Sequence, residues 1–361
     1  MSDHGGNIYA ASRKTGFPLS RILDFSASIN PLGVPKRAAL AMKDHIGSLR
    51  HYPEPYSEGL ADCIGKQFGS GNEAIICGNG STELIYLIPR ALRPARVLIP
   101  APTFGEYERA CRGSGASVVA GFRLNHERDF DVDPALFIEA MSGGPKGTEP
   151  YDMAFLCNPN NPTGRLVSKE DVLGIADAAE SLSCYLVVDE AFIDFCPEAS
   201  VVAQVARNPH LIVLRSLTKF YALSGIRLGY GVLHPSVAER IRAYKEPWTV
   251  NSLAQCAGVA ALEDTAYQRA SRETMEREKS FMEAELKKMG IPFVPSAANY
   301  YLLRVEHGAA SAVAALEGKG ILVRHCANFA GLDETYIRVA VRSRLENERL
   351  LKEMGEICAG S

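Results

Sequence analysis

The sequence predicts an α/β fold: a mainly parallel sheet covered by helices, with a smaller α+β unit beside it. Two observations carry the expectation. Through the middle of the chain, short apolar runs alternate with amphipathic stretches, and the runs are apolar on both faces, as strands buried between helix layers must be. The last third instead places a long helical stretch ahead of a few short strands and a closing helix, the order of an α+β unit.

Residues 74–77, 96–99, 153–157, 185–188 and 211–214 read as buried strands, several rich in β-branched side chains, and 228–233 as one further strand. Residues 168–183 read as a helix capped by Ser168, with Asp171 at capping-box spacing although that box prefers Glu or Gln. Residues 252–289 are expected to be mostly helical, broken near Glu263 and Asp264. Strand-like 299–305, helix-like 311–317, strand-like 321–324 and 336–341, and a helix from about 345 to 358 complete the chain. The expected large domain is 47–248; residues 1–46 are expected to pack with 249–361 as the smaller one. No internal repeat or low-complexity tract appears.

The chain of 361 residues suits about two domains. A net charge of -3 provides no excess of positive charge for nucleic-acid binding. No apolar run reaches the roughly 18 residues of a membrane span, and residues 1–15 lack the apolar core of a signal peptide, so a cytoplasmic location is expected. The nine cysteines contain no C-x-x-C pair, the closest being Cys184 and Cys196, so neither a zinc knuckle nor a redox motif is expected, nor any metal. Cys77, Cys157 and Cys184 sit in apolar runs, where cysteine acts as a small hydrophobe.

Open α/β sheets place ligands beyond the carboxyl ends of their strands, and four segments occupy such positions. Gly78-Asn79-Gly80-Ser81-Thr82-Glu83 opens a helix whose N–H groups suit a phosphate, although a tight strand-to-helix turn explains it equally well. Glu83 stands where a dinucleotide fingerprint has its third glycine, and no Walker lysine follows. Asn158-Pro159-Asn160-Asn161-Pro162-Thr163-Gly164 is a loop stiffened by two prolines. Asp189 closes an apolar strand, where a buried carboxylate needs a cationic partner, by an ordinary salt bridge or by a ligand. Ser216-Leu217-Thr218-Lys219 follows the next strand, with Arg227 eight positions beyond the lysine.

In this order the segments resemble the fold type I pyridoxal-phosphate (PLP) enzymes of the aminotransferase class I/II superfamily, over nearly the whole chain. The resemblance implies that Lys219 forms the Schiff base and that Asp189, thirty positions upstream, holds the pyridinium nitrogen so that the ring accepts electrons. It implies Asn161 at the ring's phenolic oxygen and Phe104 stacked on the ring. A phosphate cup would combine Gly80, Ser81, Thr82, Ser216, Thr218 and Arg227. Tyr52 resembles the tyrosine that reaches the neighbouring subunit's phosphate, which implies a homodimer.

Within the superfamily, His4-Gly5-Gly6-Asn7, residues 24–33, residues 189–195, residues 215–221 and residues 324–333 resemble the threonine-phosphate decarboxylase branch of the cobalamin pathway. The histidinol-phosphate aminotransferase branch is the near relative. It commonly carries a tyrosine where this chain has Phe192, which cannot make that hydroxyl's bond. Both branches imply a phosphorylated amino substrate. Arg338 resembles the clamp for an α-carboxylate and Arg324 a phosphate ligand, since planar guanidinium forks suit both anions. His4 and Asn30 are expected to complete the phosphate pocket, with a loose terminal histidine the alternative for His4. Arg342 is expected to pair with a nearby acid. Whichever Cα bond stands perpendicular to the ring breaks, so the placement of the two anions decides between decarboxylation and transamination. A ligand-sensing regulator on this fold would carry an added DNA-binding domain, for which the pattern leaves no room.

Overall fold

The computed structural model describes residues 4–144, 148–305 and 308–359. In chain order its strands are β1 (Leu23–Asp24), β2 (Ile75–Gly78), β3 (Arg96–Ala101), β4 (Val118–Arg123), β5 (Met153–Cys157), β6 (Tyr185–Asp189), β7 (Leu211–Ser216), β8 (Gly229–Leu233), β9 (Tyr300–Arg304), β10 (Ile321–Leu322), β11 (Arg324–His325) and β12 (Tyr336–Ala340). Seven form one sheet in the order β2-β8-β7-β6-β5-β3-β4. All neighbours are parallel except at β8, which runs antiparallel to both β2 and β7.

The alternating strand pleat sorts the apolar residues into two cores. Ala154, Leu156, Leu186, Val188 and Val213 meet the helices Lys169–Ser181 and Ser252–Leu262 on one face. Met153, Phe155, Val187, Ile212 and Leu214 meet Ser81–Leu92, Glu106–Gly113 and Pro235–Arg242 on the other. Double burial is why these strands read as unbroken apolar runs. β4 is different: it lies at the sheet edge and is only half-buried although residues 118–122 are apolar, and it is not among the strands expected from sequence.

The C-terminal third builds an antiparallel sheet in the order β11-β12-β9. The helices Thr265–Lys288, Ala309–Gly318 and Arg344–Ala359 cover it through a third core. The helical stretch breaks where expected, because the Asp264 carboxylate accepts the Tyr267 amide at 3.0 Å and starts a new helix. Ser168 likewise caps its helix by accepting from the Asp171 amide, 3.1 Å, while its hydroxyl donates to the Asp171 carboxylate, 2.8 Å. The N-terminal segment threads into the smaller sheet: β1 pairs in parallel with β10, and Phe25 joins the third core. Arg342 pairs with Glu346 at 2.6 Å, as expected. The cysteines with described side chains are free thiols, six of them buried; the Cys358 side chain lies outside those described. Among the described residues no helix is long and apolar enough to cross a membrane.

One charged cluster is built into this frame. Glu190, just past β6, is 1% exposed and meets Arg215 of β7 at 3.0 Å, while Arg215 reaches Asp194 at 2.5 Å. The Ser200 hydroxyl (2.7 Å) and the Val201 amide (2.8 Å) also donate to Glu190. Removing one partner of such a buried pair strands the other charge, at a cost of about 3–5 kcal/mol. Glu190→Ala should lose about that much stability in denaturant unfolding, and Glu190→Gln, which keeps one acceptor oxygen that Val201 can still use, should lose less.

Candidate active site

The carboxyl ends of the parallel strands, the N-terminal segment and the strands β11 and β12 enclose a cavity of about 270 Å³. At one end lies an anion cup. Gly80 precedes the helix Ser81–Leu92, whose N-terminus no side chain caps, leaving its first amides available. Gly80 has φ +75°, a backbone that favours glycine, and a Cβ there would stand 2.5 Å from Arg227 Nη2 and push that guanidinium aside. Arg227 is itself held in the left-handed region at φ 60°. Ser81, Thr82, Ser216, Thr218 and Arg227 line the cup, and the Ser216 and Thr218 hydroxyls lie 2.7 Å apart. Glu83 faces elsewhere: it accepts from the Asn79 amide (2.6 Å) and pairs with Lys245 (2.6 Å), which explains an acid in the place of a third glycine.

Lys219 follows β7 and lines the cavity, half-buried. Burial lowers its ammonium to about 8, with Arg338 and Arg227 adding to the effect and Asp189 opposing it. Asp189 ends β6, is 3% exposed, and makes no salt bridge at contact distance among the described residues. It accepts instead from the Tyr107 hydroxyl (2.7 Å) and the Ala191 amide (3.0 Å). Burial still pushes it up to about 6, so this carboxylate is short of positive charge. Phe104 and Asn161 also line the cavity. Phe192 lines it too, packed edge-on to Tyr300, whose hydroxyl donates to Asn160 O at 2.7 Å.

Arg324 and Arg338 are direct cross-strand partners on β11 and β12, so both side chains leave the sheet on the same face. Arg338 is buried and donates to Asn161 Oδ1 and, at 2.8 Å, to Ser26 O. Arg324 donates to His325 O (2.8 Å) and Asn328 Oδ1 (2.6 Å) and lies over the Phe329 ring. His4 is brought to the same rim, with Nε2 2.8 Å from Glu106 Oε1; the Tyr86 hydroxyl donates to the other oxygen of Glu106. Burial works against ionisation of Glu106, yet the Tyr86 and His4 contacts hold it below the usual carboxylate range. A wider space of about 560 Å³ adjoins the cavity and shares His4, Phe104, Arg324 and Phe329 with it.

Two expected residues lie elsewhere. Asn30, expected in a phosphate pocket, is not among the residues that line the cavity. Its amide donates to Phe220 O (2.7 Å) and Ser271 Oγ (2.8 Å), and its backbone N–H donates to Lys219 O (3.1 Å), so the side chain is fully engaged in fixing the loop that carries Lys219. Tyr52 is 83% exposed, beside Trp248 and away from this chain's own cavity. Conversely, Tyr107, Glu106, Ser26 and Ser28 belong to the site or its support and were not singled out from sequence. The spacing of Phe104 and Tyr107, two aromatics one helical turn apart after a strand, is the signal that points to the first of them.

The donor set fits PLP. A glycine cradle with an arginine and two hydroxyls suits a phosphate, Lys219 supplies an amine of lowered pKa, and Asp189 is a buried carboxylate in need of a cation.

Comparison with known proteins agrees. Residues 20–354 match the family described as aminotransferase class I and II. A threonine-phosphate decarboxylase of Salmonella typhimurium is 40% identical over 362 residues, covering 99% of this chain and 97% of its own length. The histidinol-phosphate aminotransferase of Clostridium acetobutylicum superposes with a TM-score of 0.86 at 30% identity, over 94% of this chain and 100% of that one. The L-threonine-O-3-phosphate decarboxylase of Porphyromonas gingivalis does so with 0.82 at 29%, over the same shares. The chain belongs to the aminotransferase class I and II family and is a PLP-dependent enzyme.

Proposed function

We propose that this protein decarboxylates L-threonine O-3-phosphate to aminopropanol phosphate, a step of cobalamin biosynthesis, as a cytoplasmic homodimer. The observation that carries the reading is the pair of guanidinium forks, Arg324 and Arg338, at one register position over the cavity that holds Lys219. A substrate bearing a carboxylate and a phosphate uses both forks at once. The full-length likeness to a threonine-phosphate decarboxylase points the same way. Histidinol phosphate, the substrate of the alternative aminotransferase reading, has one anion only, and Phe192 provides no hydroxyl toward the cofactor ring.

Bound PLP supplies an electron sink for the pair left on Cα when a bond to it breaks. The chain's residues do the rest. Gly80, Ser81, Thr82, Ser216, Thr218 and Arg227 hold the cofactor phosphate. Asp189 would accept from a protonated ring nitrogen, Asn161 would serve the ring oxygen, and Phe104 would pack on the ring. Arg338 grips the substrate α-carboxylate, and Arg324, with His4 at the rim, grips the substrate phosphate. Held at both anions, a substrate could not turn freely, and the placement of the two arginines would decide whether the carboxylate or the hydrogen on Cα is the group set to leave. Lys219, whose ammonium burial lowers to about 8, would be the group placed to return a proton to Cα.

A second copy of the chain is proposed to cover the exposed face that carries Leu49, Tyr52, Tyr56 and Trp248. There Tyr52 would enter the partner's space of about 640 Å³ beside Thr82 and Arg227, next to the cofactor phosphate. Free thiols suit a reducing compartment.

PLP-loaded protein should release CO2 from L-threonine O-3-phosphate and leave aminopropanol phosphate. Glutamate formed from histidinol phosphate and 2-oxoglutarate, with no CO2 from the first substrate, would overturn the reading. Arg324→Ala should lower kcat/KM roughly ten- to a hundredfold for the phosphorylated substrate, against little change for threonine, since a hydrogen bond to a charged group is worth about 1.5–3 kcal/mol. Equal losses on both substrates would place the phosphate elsewhere.

The Lys219 ammonium gives a pH test. In the cofactor-free protein, an acylating reagent should label Lys219 at a rate that rises with pH and is half-maximal near 8, the value to which burial lowers it. An exposed lysine would reach that point near 10.4. Removing a neighbouring cation stabilises an ammonium, so Arg338→Ala should move the midpoint upward; no movement would mean that the two groups do not share one field.

A further inference from the structure

Among the buried polar groups to which the proposed function gives no role is the hydroxyl of Tyr107. Tyr107 is 0% exposed. Its ring stacks on Phe155, centroids 4.8 Å apart and 17° from parallel, and meets Phe104 edge-on at 5.6 Å. Packing alone would be served by phenylalanine, because a buried hydroxyl is costly unless it is bonded. Here its bond, 2.7 Å, goes to Asp189 Oδ2, on the carboxylate that faces the cavity.

We propose that Tyr107 is a positioning residue that sets both the ionisation and the aim of Asp189 toward the cofactor's ring nitrogen. The proposal rests on the reading that PLP occupies this cavity. Tyr107 donates to one oxygen of Asp189 and the Ala191 amide to the other, so turning the carboxylate plane breaks a bond at each end. The ionisable groups around Asp189 are Tyr107, Cys157, Glu190, Lys219 and Tyr300. Burial and Glu190 oppose the carboxylate; the Tyr107 and Ala191 bonds and the Lys219 charge favour it. With all of these in place Asp189 stands at about 6, so the loss of the Tyr107 bond would carry its ionisation toward neutral pH. The Tyr107 phenol is itself pushed well above 10 by burial, so it stays a donor across the working range. The same ring that holds Asp189 also packs against Phe104, so the group assigned to the ring's face and the group assigned to its nitrogen share one support.

Tyr107→Phe keeps the ring and removes the oxygen. In full-length protein without cofactor, carrying aspartate labelled with 13C at the carboxyl, the Asp189 signal is identified by its loss in Asp189→Asn. Its titration midpoint should lie near 6 in the parent and about one pH unit higher in Tyr107→Phe, as expected for the loss of one hydrogen bond to a charged group. PLP uptake, followed by visible absorption, should be about twofold weaker in Tyr107→Phe at pH 7 and approach roughly tenfold weaker at pH 5, below both midpoints, and this difference should vanish in an Asp189→Asn background. Phe155→Leu, which disturbs the stack but leaves the hydroxyl, should not move the midpoint. An unmoved midpoint in Tyr107→Phe overturns the proposal. So does an equal loss of PLP affinity in both backgrounds, or a midpoint that follows Phe155→Leu, since packing alone gives those results. A midpoint that moves in protein that takes up no PLP leaves the Tyr107–Asp189 linkage standing and overturns the cofactor reading instead.

Discussion

Two consecutive carboxylates, Asp189 and Glu190, are buried at the end of the central strand β6, and the site is arranged around that fact. Neighbouring charges in a low-dielectric interior oppose each other, so a chain tolerates the pair only if each finds its own compensation. The compensation is unequal. Glu190 is met by Arg215 from the adjacent strand, and Asp194 shares that guanidinium, closing the account on one side. Asp189 is left with a phenol, an amide and the nearby charge of Lys219. The sheet thus delivers to the cavity a carboxylate whose environment asks for a cation, which is the property a protonated ring nitrogen satisfies.

The cavity also depends on a junction between two sheets that are far apart in sequence. The large sheet contributes Asp189 and Lys219, whereas β11 and β12 contribute Arg324 and Arg338. The N-terminal segment joins them. Its Ser26 carbonyl accepts from Arg338, its Phe25 carbonyl accepts from the Ala340 amide, and Asn30 ties it to the backbone of Lys219 and Phe220. A segment with little regular structure therefore fixes how the arginines sit relative to the lysine.

Much of this is legible in the sequence, for identifiable reasons. β5, β6 and β7 are visible because burial on both faces demands unbroken apolar runs. Gly80 and the loop around Asn161 are visible because their backbone chemistry is unusual. β4, a half-buried edge strand, is missing from the expected strands although residues 118–122 are apolar, so there the fault lies in the reading and not in the pattern. What is hidden elsewhere is what pattern does not encode. Asn30 has a polar side chain suited to a ligand, yet contacts 190 and 241 positions away absorb both of its amide hydrogens. Tyr107 resembles any core aromatic until β6 brings Asp189 against its hydroxyl, and Glu106 resembles a solvated helix acid until Tyr86 and His4 close on it. In each case the missing information is a long-range partner.

The register of β11 against β12 has a consequence for which molecules fit. Because Arg324 and Arg338 are opposite one another, the separation of their points of origin is set by the ladder rather than by flexible loops. Adjacent strands stand about 4.8 Å apart, and side chains directly across an antiparallel pair start at a similar spacing. The two forks therefore act as a ruler. On the proposed assignment, a ligand with two anions several bonds apart would engage both, whereas a longer or shorter one would satisfy one fork only. Discrimination by chain length is in that sense a property of β-sheet geometry, written into the backbone before any side chain meets the substrate.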